Sequence, residues 1–155
     1  VLPFLIPVIL ENLQTKNRER YMALIDTGCT KCLISSQAVV KLQASQYKLS
    51  KPMKFEQVDG SLLGGHPVEY VTDPLKLEIG CHWEEICFLV VPKMREDLIL
   101  GLSWLDKWQP QIWWEQGFRK MRLPIGPYTE SKNGNPETQV EDSQKLKGVG
   151  EQLKI

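Results

Sequence analysis

The stretch "PLKLEIGCHWEEICFLVVP", residues 74 to 92, sets the tightest limit on what this chain can fold into. Leu75, Leu77 and Ile79 alternate with polar neighbours, Gly80 begins a turn, and Ile86, Phe88 and Val90 alternate back. A period of two puts successive side chains on opposite faces of a sheet, so the segment predicts a half-buried hairpin. Short runs of the same kind recur: "FLIPVIL", "YMALID", "CLIS", "MKFEQVDGSLLGGHPVEYV" and "DLILG". The polar "ENLQTKNRER" connects the first two as a hairpin, and Asp59-Gly60 and Gly64-Gly65 mark further turns. Two short helices are expected. "SQAVVKLQ" can be capped by Ser35 or Ser36, and "LSWLDKW" has Trp104 and Trp108 four apart with Pro110 beyond its end.

A chain of 155 residues suffices for one domain with a real core. The strand pattern holds over residues 1–123. After Pro124 large apolar residues become scarce, so 124–155 is expected to be a polar linker or disordered tail. The first residue is Val, which suggests a piece of a longer chain. With 19 basic and 19 acidic residues and no block of like charge, nothing points to nucleic acid or an anionic membrane surface. No apolar run approaches the length of a membrane span.

The apolar stretch "ALIDTGCT" raises a chemical question, because it carries Asp26 into a Thr-Gly turn. A carboxylate at an apolar edge loses solvation and needs a reason to be there. Asp26 can be a turn cap, with Gly28 supplying a positive φ. It can also be half of an aspartic-protease dyad, although the chain has a single Asp-Thr-Gly. Glycine-rich "VDGSLLGG" could form a mobile lid, and in "LILGLSWL" the apolar Ile99 and Leu100 could pack beside the Asp26 loop, with Gly101 allowing close approach.

Four cysteines need placing. Cys29 and Cys32 form a C-x-x-C, and Cys81 and Cys87 flank His82. The second pair is too widely spaced for a zinc knuckle, and no βαβ context supports a redox motif. We read the four as free thiols serving as small hydrophobes, with no metal and no cofactor. There is no Asn-x-Ser/Thr acceptor, which agrees with a cytoplasmic chain.

Taken in order, "ALIDTGCTKCLIS", "VDGSLLGG", "PLKLEIGCHWEEICFLVVP" and "LILGLSWLDKWQPQIWW" resemble the retropepsin-type aspartic proteases of gypsy-type LTR retrotransposons and the vertebrate genes domesticated from them. Trp108-Gln109 and Ile112-Trp113-Trp114 depart from the usual family residues around Pro110, and Cys29 stands where Ala or Ser is more usual. The resemblance implies an all-β, closed retropepsin-like barrel with one short helix on its C-terminal side, working as a symmetric homodimer. It implies a catalytic loop of Asp26, Thr27 and Gly28, a substrate-covering flap of Asp59, Gly60, Ser61, Leu62 and Leu63, and loop support from Ile99, Leu100 and Gly101. The expected activity is endopeptidase cleavage of extended segments of a Gag-Pol-like polyprotein, inside the cell or within virus-like particles. The alternative is a catalytically silent copy kept for dimerisation or peptide binding.

Overall fold

The computed structural model describes residues 3–57, 59–115, 117–128 and 136–144. The chain opens with a hairpin of β1 (Leu5–Asn12) and β2 (Arg18–Ile25). Ile6, Val8 and Leu10 face inward from β1, and Tyr21, Ala23 and Ile25 from β2. Pro7 is tolerated because it sits on the edge that β6 (Leu75–Ile79) does not reach, pairing with β1 only from Ile9 to Asn12.

After β3 (Leu33–Ser35) comes α1 (Ser36–Leu42), whose first turn is capped by the Ser35 hydroxyl accepting from the Ala38 amide at 3.1 Å. An arm follows, made of β4 (Gln46–Met53) and β5 (Val68–Thr72). Sequence pattern misses β4 because its residues are almost all exposed and do not alternate. Beyond β6, the returning strand is divided into β7 (His82–Ile86) and β8 (Leu89–Val91). The predicted hairpin therefore holds only as far as Ile86, and β8 leaves it to lie between β5 and β3.

β9 (Leu98–Leu100) is followed by α2 (Leu102–Trp108). Strand order across the large sheet is β4-β5-β8-β3-β9-β2-β1-β6-β7, nine strands in all. The sheet curls around a core that includes Leu10, Leu77, Leu98, Leu100 and Trp104, but β4 and β7 stay as edges. It is thus a half-barrel and not the closed barrel expected, because the edges β4 and β7 do not pair with each other and β7 instead meets Gly126 in an isolated bridge.

A second sheet joins β10 (Gln111–Trp113), β11 (Lys120–Pro124) and β12 (Glu137–Glu141). Within the segment expected to be linker or disorder, Glu137–Glu141 is a paired strand. β12 is polar at Glu137, Gln139 and Glu141, yet it pairs with β11 over five residues and buries Val140 opposite Met121. The Ser143 amide then donates to the Leu5 carbonyl at 2.8 Å, tying this segment to the first strand. The rest of the expected tail, residues 129–135 and 145–155, lies outside the described residues. No helix among the described residues is long and apolar enough to cross a membrane.

Candidate functional site

Asp26 leaves the end of β2, and β9 lies between β2 and β3, the two strands that the Asp26 loop connects. Leu24 and Ile25 pair with Ile99 and Leu100, and the Asp26 amide donates to the Leu100 carbonyl at 3.1 Å. The loop is closed from within by the Cys29 amide on the Asp26 carbonyl at 3.3 Å. It is held from below by the Leu102 and Ser103 amides, which donate to the Cys29 and Thr30 carbonyls at 2.7 and 3.0 Å. Gly101 makes this possible, since a Cβ there would lie 2.4 Å from the carbonyl oxygens of both Cys29 and Lys31.

The Gly28 amide donates to Asp26 Oδ1 at 2.8 Å, a bond that fixes the carboxyl group. Thr27 is exposed, and its hydroxyl has no hydrogen-bond partner among the described residues. Burial pushes the thiol pKa of Cys29 and of Cys32 upward, which disfavours their thiolate forms. Among the described residues no group of three or more His, Cys, Asp or Glu could hold a metal ion.

Asp26 and Gly28 line a cleft of about 800 Å³ together with Leu24, Ile99, Phe55 and Leu63. Its far wall is the hairpin that carries the expected flap residues. The Leu63 amide donates to the Phe55 carbonyl at 2.7 Å, Glu56 bridges to Leu62, and the Gln57 amide donates to the Ser61 carbonyl at 2.7 Å. At the tip, the Asp59 carboxyl accepts from the Ser61 hydroxyl and, at 2.9 Å, from the Ser61 amide. These bonds hold its pKa below the usual carboxylate range.

Of the sequence-predicted residues, the structure brings Asp26, Gly28, Leu63 and Ile99 to the cleft. Asp59, Gly60, Ser61 and Leu62 form the hairpin outside the cleft lining, while Leu100 and Gly101 stand behind the loop. Lys93, Met94, Arg95 and Glu96, between β8 and β9, also line the cleft and were missed. "PKMRED" reads only as a polar connection; the neighbouring strands bring it opposite the hairpin. Gly64 is a second omission: a Cβ there would sit 2.3 Å from the Pro92 carbonyl oxygen, so it lets the hairpin base rest on this connection.

Two solved structures are similar to the chain. The crystal structure of the retroviral protease-like domain of Ddi1 from Leishmania major is 15% identical with a TM-score of 0.50, covering 77% of this chain and 84% of that one. The EIAV protease complexed with the inhibitor HBY-793 is 18% identical with a TM-score of 0.49, covering 68% and 86%. The first likeness shows the fold, a retroviral-protease-like half-barrel. The family model described as the PEG10/RTL1 protease domain matches residues 22–122, more than half of the chain, and spans the end of β2, the Asp26 loop, the hairpin and α2. The chain belongs to the PEG10/RTL1 protease domain family.

Proposed function

We propose that this chain is one half of an aspartic endopeptidase whose second catalytic carboxylate comes from a second copy of itself. The observation that carries the reading is Asp26, fixed by the Gly28 amide at the wall of a large cleft faced by a hairpin. A two-fold axis near the exposed Thr27 would bring Asp26 against its own copy with no second motif in the chain. Two facing carboxylates cannot both ionise cheaply, so they share one proton. The ionised member takes a proton from the water between them while the protonated member polarises the scissile carbonyl. Water attack gives a tetrahedral diol, which collapses as the amide nitrogen gains a proton. The substrate would be an extended peptide segment of a Gag-Pol-like polyprotein, bound between the hairpin and the Asp26 loop by strand-like hydrogen bonds.

The test is Asp26→Asn, which keeps size and shape but removes the titrating acid. Incubated with a polyprotein fragment, the variant should cleave slower by roughly three orders of magnitude or more, with its fold unchanged by circular dichroism. Cleavage at the parent rate would defeat the assignment. A parent that binds peptide and dimerises but never cleaves would instead identify a silent binding module.

A further inference from the structure

A second pocket of about 390 Å³, lined in part by Lys31, Cys32 and Ser103, shares no lining residue with the cleft. Its walls include Met53, Val71 and Leu89, and its floor holds the Glu84 carboxyl, whose side chain is only 4% exposed. β7 turns both His82 and Glu84 inward, at positions where a strand of this kind ordinarily carries apolar residues. Glu84 Oε2 accepts from the Trp104 indole N–H at 2.9 Å and lies 2.8 Å from His82 Nε2. Glu84 Oε1 has no partner among the described residues, and it is not one of the polar atoms sealed from solvent without one. Glu84 is among the residues that line the pocket, so Oε1 is the carboxyl oxygen left available there.

The chemistry of this floor restricts what could bind. His82 Nδ1 lies 3.1 Å from the Pro124 carbonyl oxygen, which only accepts, so Nδ1 carries a hydrogen. The short contact between Nε2 and Oε2 then needs one proton between them, whichever atom holds it. Either way the His82–Glu84 pair is neutral overall and Oε1 is a hydrogen-bond acceptor. At the mouth stand the exposed Lys31 and Lys107 against one acid, Glu85, which disfavours a cation. We propose that this pocket is a binding site for a neutral small molecule with an apolar body and one terminal hydrogen-bond donor, which Glu84 Oε1 accepts. Pockets of this size, mostly apolar with a few convergent polar groups, are typical small-ligand sites.

The experiment titrates the ¹⁵N-labelled full chain with p-cresol, 4-methylanisole and protonated benzylamine while following the Trp104 indole N–H. p-Cresol should give a saturable shift with an affinity about tenfold or more above that of 4-methylanisole, in which a methyl group replaces the donor hydrogen. Benzylammonium should bind more weakly than p-cresol. Cys87→Trp, which fills the exposed rim, should abolish the shift, and nuclear Overhauser contacts from the p-cresol methyl to Val71 and Leu89 locate the ligand independently of any variant. No saturable shift, equal affinity for 4-methylanisole, tighter binding of benzylammonium, or contacts only to residues of the Asp26 cleft would each overturn the proposal.

Discussion

Gly101 does as much for the candidate site as Asp26, though it bears no chemistry. Two backbone carbonyls of the loop rest where its side chain would be, and backbone cannot swing aside as a flexible side chain can. Gly101→Ala should therefore destabilise the fold by about 1–3 kcal/mol or more, the usual cost of forcing extra volume into a packed site. Urea unfolding measures this, and a change within about 0.5 kcal/mol would mean that the loop yields freely. The "LILG" pattern in the sequence announces a close approach at this position. His82 and Glu84 are less legible, because β7 reads as polar and apolar residues mixed. Only the hydrogen bonds from Trp104 and towards Pro124 make their inward placement tolerable.

β12 carries little apolar signal of its own, and Val140 is its one buried residue. Val140→Ala should cost about 1–3 kcal/mol, a large-to-small change in a core, measured by thermal or urea unfolding. No change would mean that β12 contributes nothing to the domain. On the opposite side, Arg18 of β2 clamps β1 and β6 by donating to Glu11 at 2.9 Å and to both Glu78 oxygens at 2.8 Å. The Arg18 side-chain bond holds the Glu78 carboxyl below its ordinary value of 4.5, so the folded state binds that proton less readily than the unfolded chain. The contribution is complete above the unfolded value and is lost as pH falls through the lower, folded one. Glu78→Gln should thus flatten the stability-versus-pH curve below about pH 4.5 while costing less than about 1 kcal/mol at neutral pH, since the pair is solvent-exposed. An unchanged acid slope would show that the clamp does not act on stability.

A half-barrel with one Asp-Thr-Gly and an open cleft makes the proposed enzyme depend on concentration. Near the dimer dissociation constant, activity should rise faster than linearly with protein, whereas a single-chain catalyst would give a straight line. Sedimentation in parallel decides the matter: full activity in a sample shown to be monomeric would sink the two-copy mechanism without touching the fold. The Asp26→Asn variant should sediment as the parent does, because it keeps the surface around Thr27.

Local patterns were enough to read the β-rich class, a cap at Ser35 or Ser36, both short helices and the Asp26 loop, because each rests on residues close in sequence. Alternation fixes which face of a strand is buried, and a Ser, Gly or Pro at a boundary fixes where an element starts or stops. Apart from the support of the Asp26 loop by Ile99, Leu100 and Gly101, what depended on a partner far along the chain needed the tertiary structure. β4 and β12 exist as strands because β5 and β11 supply the hydrogen bonds, and neither has the apolar pattern that would announce it. The same holds for the cleft wall at Lys93–Glu96, which is placed opposite the hairpin by β8 and β9, and for Glu84, whose burial is bought by His82 and Trp104. Backbone pairing and polar satisfaction are long-range bonds, and the sequence of one strand does not contain the other half of the bond.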